Sequence, residues 1–182
     1  MLNSLKLIPL TICILLLSVP ASRAVIQVVD VESSGFRLDL DNNITSGLVS
    51  TGSGAPGDFE LLLCTAFSDG NNSFLDPTPG NWSTIDSGEC GGNGGPCIFG
   101  VFGGSDNSAS STDISCNWTD PVSAFAAGLF RLRGVDRDNP VIAVACNTGI
   151  PGEVITAPSV DAEPNSFVIV GIGTSESIHS LN

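Results

Sequence analysis

Short apolar runs separated by turn-forming residues recur along most of the chain. Val, Ile, Leu and Phe cluster within the runs, and Gly, Pro, Asn, Asp and Ser occupy the positions between them. This pattern is typical of an all-β sandwich or barrel, because an amphipathic helix would show an apolar stripe of longer period. The runs predict strands near 25–31, 36–40, 59–67, 82–86, 98–103, 113–118, 124–133, 141–146, 153–157 and 167–172.

Alternation within the runs predicts which face of each strand is buried. In DISCNWT, Ile114, Cys116 and Trp118 share one face and polar residues occupy the other. In FRLRGV, Phe130 and Leu132 face one way and the two arginines face the other. FELLLCTAF and SFVIVGIG are apolar on both faces, as expected for central strands that are covered on each side. We therefore predict an all-β fold, an antiparallel β-sandwich of the jelly-roll or immunoglobulin-like kind.

The first 24 residues have the parts of a secretory signal peptide. Lys6 supplies a positive charge, Leu7–Val19 form an apolar run, and Ser22 and Ala24 are the small residues that signal peptidase requires. The run is too short to anchor the chain in a hydrocarbon core of about 30 Å. We predict cleavage after Ala24 and secretion to the extracellular space or the cell surface, with no membrane span in the mature chain.

Cleavage would leave a strongly acidic chain. Its four arginines stand against nineteen Asp and Glu residues, and no lysine remains. The resulting net charge of about −15 would repel a phosphate backbone, so we expect no nucleic-acid partner. The length of the mature chain suits one domain over 25–182, with a frayed tail at 173–182.

The stretch ECGGNGGPC encloses six residues between Cys90 and Cys97. Export places cysteines in an oxidising compartment, where pairs usually form disulfides, and the spacing is wider than that of a zinc knuckle. We predict a Cys90–Cys97 bridge at the base of a hairpin between NWSTI and IFGVF, which would stabilise the fold by about 2.5 kcal/mol. Cys64, Cys116 and Cys146 lie on predicted strands, so one further pair is expected among them. The sequence leaves its identity open.

Several phrases, taken in order, resemble a class of secreted or envelope-associated β-sandwich modules of bacteria and phages. They are Gly57-Asp58 before FELLLCTAF, PTPGNW at 77–82, RLRGVDRDNPVI at 131–142, TAPSV at 156–160 and NSFVIVGIG at 165–173. The resemblance covers roughly 57–173 and implies the fold alone, since a fold does not carry a function with it. The chain departs from the pattern by the extra Asn81 and by ending at SESIHSLN. We therefore expect either a sandwich that is incomplete at its C-terminus, with an open edge or groove, or an incomplete coding sequence.

The segment RGVDRDNP is a candidate binding site. Asp136, Asp138 and Asn139 could supply oxygen ligands to Ca²⁺, and Arg131 and Arg133 could bind a sugar carboxylate or sulfate. The alternative is a surface corner in which Asp and Asn shape the turn and the arginines pair with nearby acids.

Two further kinds of site are suggested by residue type. Trp82 could stack on a sugar or pack in the core as its counterpart does in the resembling modules, and Trp118 shares a face with apolar residues, which favours the core. Four asparagines begin N-x-[ST] sequences and are candidate N-glycosylation sites: Asn43, Asn71, Asn81 and Asn117.

No catalytic constellation is found in the sequence. The single histidine, His179, lies near the end of the chain, and Ser-His-Asp, Cys-His and Ser-Lys arrangements are missing. We predict no enzyme activity and no cofactor apart from the Ca²⁺ considered above.

The sequence favours a non-catalytic secreted or cell-surface protein with a structural or adhesive role. Its apolar segment VIQVVDV could be donated to another copy in self-assembly, or it could complete its own sheet. The alternative function is a Ca²⁺-assisted carbohydrate-binding module that recognises a surface glycan.

Overall fold

The computed structural model confirms the prediction of an all-β fold in which antiparallel sheets pack against each other as in a β-sandwich. It describes residues 10–17, 25–38, 43–50, 57–67, 72–92, 97–105, 113–149, 156, 158–161 and 166–173. Within these residues every regular element is a strand. The strands are β1 (Leu10–Leu17), β2 (Gln27–Leu38), β3 (Ile44–Val49), β4 (Phe59–Phe67), β5 (Phe74–Thr78), β6 (Trp82–Glu89), β7 (Gly91–Gly92), β8 (Cys97–Ser105), β9 (Ile114–Val122), β10 (Ala124–Arg133), β11 (Val141–Gly149) and β12 (Phe167–Gly173).

Most of the predicted strands are present. β4 and β10 have the limits that the sequence predicted, and the predicted strands 25–31 and 36–40 are one continuous strand, β2. β1, β3, β5 and the two-residue β7 were not predicted as strands. The predicted strand at 153–157 lies outside the described residues except for Thr156, which is not in a strand.

The described strands form three hydrogen-bonded sheets. The five-stranded sheet has the order β2-β10-β4-β8-β6, the three-stranded sheet β3-β9-β5, and the four-stranded sheet β12-β1-β11-β7. Among these strands the pairings are antiparallel, with the exception of the two-residue β7, which runs parallel to β11. β6 and β8 pair as the hairpin that the sequence predicted.

The five-stranded sheet is packed between the other two. Its middle strand, β4, alternates between two cores, since Leu62 and Cys64 pack toward the three-stranded sheet and Leu61 and Leu63 pack toward the four-stranded sheet. The strand is therefore buried almost throughout. FELLLCTAF is apolar on both faces for this reason, as predicted.

The first core lies between the five-stranded and three-stranded sheets. Ile114, Cys116 and Trp118 of β9 are buried in it, which confirms the alternation in DISCNWT. The indole of Trp118 lies against the rings of Phe74 and Phe125, with centroids 5.9 and 5.3 Å away. Aromatic pairs of this kind stabilise a fold by more than the burial of their apolar area alone.

The second core lies between the five-stranded and four-stranded sheets. It includes Phe59 and Leu132 from the former and Val141 and Ile169 from the latter. The prediction that SFVIVGIG is a central strand is wrong, because β12 is an edge strand of the described sheet and is paired with β1. Val168 on β12 is correspondingly half-exposed.

Residues 10–17 of the apolar run predicted as the core of the signal peptide form β1. It is an inner strand of the four-stranded sheet and pairs with β11 on one side and β12 on the other. In the described part of the chain, no helix has the length and apolar character to cross a membrane. Cleavage after Ala24 stays a prediction.

Two disulfides join the three sheets covalently. Cys64 on β4 is bonded to Cys116 on β9, so the pair that the sequence left open falls on these two residues. Cys90, which follows β6, is bonded to Cys146 on β11. The structure therefore corrects the predicted Cys90–Cys97 bridge.

The hairpin nevertheless brings Cys90 and Cys97 together. Their Sγ atoms are 3.2 Å apart, and the backbone N–H of Cys90 donates to the carbonyl of Cys97 over 2.7 Å. The spacing of the two residues thus predicted correctly that they are neighbours. It could not show that β11, from another sheet, brings Cys146 to the same place.

Candidate functional site

The segment 131–139, here called the arginine corner, begins at the end of β10. In the sheet register, Arg131 lies between Asp30 of β2 and Glu60 of β4. Arg133 follows on the same face, and Asp58 immediately precedes β4. Acids and arginines are therefore gathered at one end of three adjacent strands.

Arg131 is buried in an ion pair with two acids. Its Nη1 donates to Oδ2 of Asp30 over 2.7 Å, and its Nε donates to Oε1 of Glu60 over 3.1 Å. The side chains of Arg131 and Glu60 are both only 1% exposed, while that of Asp30 is 33% exposed. Arg131 is therefore not accessible to an anionic ligand, which corrects its assignment as a candidate sugar-binding residue.

Arg131 is buried because a third sheet covers the face of the five-stranded sheet on which it lies. The alternation in FRLRGV correctly placed the arginines opposite Phe130 and Leu132, but it did not show where each face points. In a two-layer sandwich the polar face of a strand meets water, whereas here both faces of the five-stranded sheet are covered. Charged residues on the covered face must then be paired.

The buried ion pair is incompletely satisfied. Oε2 of Glu60 and Nη2 of Arg131 have no hydrogen-bond partner among the described residues. A desolvated pair of this kind adds little net stability, but it is costly to break because one charge is left alone. A slip of β10 by one residue would move Arg131 to the other face of the sheet, so the pair also opposes a change of register.

Arg133 and Arg137 connect the arginine corner to the turn before β4. Nε and Nη2 of Arg133 donate to the two carboxylate oxygens of Asp58 over 2.8 and 3.1 Å. Nη2 of Arg137 donates to the carbonyl of Gly57 over 2.6 Å. Two phrases of the sequence resemblance, Gly57-Asp58 and RGVDR, are therefore parts of one structural contact. The guanidinium of Arg133 is engaged within it, although the side chain is half-exposed.

The three candidate calcium ligands lie in one turn. Oδ1 of Asp136 accepts a hydrogen bond from the backbone N–H of Asp138 over 3.0 Å, which closes the turn locally. Asp138 and Asn139 are exposed. The described residues contain no group of three or more His, Cys, Asp or Glu side chains placed to hold a metal ion. Calcium binding at this turn stays a prediction.

Trp82 belongs to the core and not to a sugar-binding surface. It is 7% exposed, and its Nε1 donates to the carbonyl of Pro79 over 3.1 Å. The PTPGNW turn makes this contact possible, because Gly80 adopts a φ of 120° that favours glycine. The structure thus removes Trp82 from the candidate ligand-binding residues and confirms the packing interpretation.

The glycosylation candidates differ in accessibility. Asn43 and Asn81 are exposed, and Asn71 lies outside the described residues. Asn117 is half-buried, and its Nδ2 donates to the carbonyl of Asp76 and to Oγ1 of Thr78, each over 3.2 Å. The amide nitrogen that would carry a glycan is therefore used to join β9 to β5.

Sequence reasoning did not single out the acids that hold the arginines. Asp30, Asp58 and Glu60 are ordinary acids by type, but two of them stand at the start of a strand that is otherwise apolar on both faces. A carboxylate in such a strand needs a buried cation nearby. The arginines of FRLR, on a second apolar strand, could have been matched to it.

Comparison with known proteins identifies no relative whose function could be compared with that of this chain. No protein-family model matches the chain, and searches of curated proteins and of solved structures found no match. The resemblance to secreted β-sandwich modules stays a prediction from the sequence.

Proposed function

We propose that the chain is a non-catalytic secreted or cell-surface protein with a structural or adhesive role. The observation that carries this proposal is that two disulfides of long sequence separation join all three sheets. Such bonds form and persist in oxidising compartments, outside the cytosol. They would hold the layers of an extracellular domain together under conditions that weaken packing.

The negative charge of the chain and the contacts of the candidate ligand-binding side chains support the same role. The acidic surface favours solubility and opposes binding to nucleic acid or anionic lipid. The arginines and the tryptophan that could have bound a ligand are instead used to hold strands and turns in place. Their chemistry is that of a scaffold, with its outer surfaces left for contact with partners.

The proposal is tested by expressing residues 1–182 in a secreting host and determining where the product lies. The expected product begins at Val25, lies in the medium or on the cell surface, and has an intact mass that rises on reduction by the hydrogens of two disulfides. A matched control carries Leu15→Asp and Leu16→Asp in the apolar run, which should prevent export. A wild-type product that stays inside the cell with every thiol titratable would contradict the proposal.

A further inference from the structure

The segment that the sequence marks for removal fills a central position in the four-stranded sheet. β1 is aligned with β11 from Leu10–Gly149 to Leu17–Val141, and with β12 from Thr11–Gly173 to Leu17–Phe167. It is thus hydrogen-bonded on both sides. If the signal peptide is cleaved after Ala24, the mature chain loses an inner strand and not an edge.

Removal of β1 would leave a slot one strand wide. β11 and β12 are both antiparallel to β1, so they run parallel to each other, separated by two strand spacings or about 9.6 Å. β12 would lose the strand that pairs with it among the described residues, and β11 would expose an unpaired edge. Neither strand contains a charged residue. An uncharged slot of this kind is suited to an apolar strand that runs antiparallel to both walls.

We propose that this slot accepts the first seven residues of the mature chain, Val25–Val31, from a second copy. The inference rests on the export that the proposed function assumes, and it adds self-assembly through a defined acceptor site. The length fits, because the register between β1 and β12 also comprises seven residues. VIQVVDV is apolar apart from Gln27 and Asp30, and it becomes the free N-terminus when the leader is removed.

The present environment of this segment makes it a suitable donor. β2 is an edge strand of the five-stranded sheet, so the segment is paired on one side, with β10. Val25, Val28, Val29 and Val31 are 75%, 44%, 42% and 52% exposed, although they are large apolar residues. In the slot the segment would gain a second strand neighbour, and the side chains on one of its faces would lie against the second core.

Donation has a cost that the vacated slot must offset. Moving the segment separates Asp30 from Arg131, which then keeps Glu60 as its partner. While β1 occupies the slot, no such gain is available and β2 remains in its own sheet. Removal of the leader makes this gain available, so that the copies can join.

The test uses the secreted protein and a synthetic peptide of residues 10–17 with Cys13→Ser and terminal lysines for solubility. The secreted protein is expected to form oligomers in size-exclusion chromatography with light scattering. A tenfold excess of peptide should reduce the mass to that of one chain plus one peptide. The matched control peptide carries Leu15→Pro, which removes an N–H from the ladder and should leave the oligomers intact.

A substitution in the donated segment tests strand donation in the protein itself, without an added peptide. The β2–β10 register skips Val29, so Val29→Pro lies at an irregularity of an edge strand and should be tolerated there. In the slot, with a neighbour on each side, the missing N–H would prevent pairing. Val29→Pro is expected to be monomeric with a Tm close to that of the wild type, whereas Val29→Thr, which keeps the N–H, should assemble.

The possible results separate this inference from the proposed function. Oligomers that survive both the peptide and Val29→Pro would overturn the slot while leaving self-assembly at the cell surface intact. A secreted monomer that does not bind the peptide, or a secreted chain that retains residues 10–17, would also overturn the proposed slot. Retention of the protein in the cytoplasm would remove the proposed function itself.

Discussion

Removal of the Cys64–Cys116 disulfide tests the covalent link between the five-stranded and three-stranded sheets. The double variant Cys64→Ala/Cys116→Ala opens a loop with a sequence separation of 52 residues. In the chain-entropy model such a loop contributes about 4 kcal/mol at 25 °C. Since domains are stable by only about 5–15 kcal/mol, the variant should lose a large part of its stability.

Urea unfolding followed by tryptophan fluorescence is a suitable assay, because Trp82 and Trp118 lie in the same core as this disulfide. We expect the midpoint to fall and the m value to rise, since the unfolded chain is no longer held compact. The corresponding shift in Tm is on the order of 10 °C.

A measurement under reducing conditions provides the internal control. Reduction opens the loops in the wild type as well, so the difference between the two proteins should shrink to the small packing cost of the missing sulfur atoms. A fall in the free energy of unfolding of less than about 1 kcal/mol under oxidising conditions, with an unchanged m value, would contradict a stabilising role of the disulfide, because a closed loop of this length should contribute several times more.

Three other predictions concern packing, the buried charges and calcium. Gly47→Ala should cost about 1–3 kcal/mol in urea unfolding, because a Cβ there would overlap the ring of Phe125, whereas Gly88→Ala, whose Cβ would meet only ordinary contacts, should be close to neutral. Arg131→Met should lower the free energy of unfolding by about 3–5 kcal/mol, because it leaves the carboxylate of Glu60 buried without its partner. The double variant Arg131→Met/Glu60→Leu should recover most of this loss. Equal losses in both variants would show that the two charges are not coupled. EDTA should leave the Tm unchanged under the proposed function, while a fall that CaCl₂ reverses would favour a calcium site at the arginine corner and the carbohydrate-binding alternative.

The strands that the sequence predicted well are those whose pattern is set by burial. FELLLCTAF and the run ending in FRLR are dense in apolar residues and bounded by turn formers, so the limits of β4 and β10 could be predicted. DISCNWT alternates because one face of β9 meets the core. In each case the period of two follows from the geometry of a strand and needs no knowledge of its partners.

Two of the missed strands, β3 and β5, contain residues that usually argue against a strand. β5 includes Pro77, which is compatible with a strand only at an edge, and β5 is indeed an edge strand of the three-stranded sheet. β3 includes Gly47, which weakens a strand by itself but leaves room for the ring of Phe125. Both depend on a neighbour that is distant in the sequence, so a local pattern could not have identified them.

The candidate site was less predictable than the fold. The acids and arginines were visible as residue types, yet their pairing depends on the register of β2, β10 and β4, which brings together residues 71 to 101 positions apart. The disulfide of Cys90 was mispredicted for a similar reason, because proximity along the chain favoured Cys97 over a residue of another sheet.

Because both faces of the five-stranded sheet are covered, the evolution of this protein is constrained in its middle layer. A sandwich of two layers offers two broad wet faces on which a new recognition surface can arise by substitution. Here substitutions on either face of the middle layer would disturb a core. Variation in what the molecule touches is therefore expected to concentrate on the outward faces of the flanking layers, on the free borders of the sheets and on the connecting turns, while the interior layer tolerates little change.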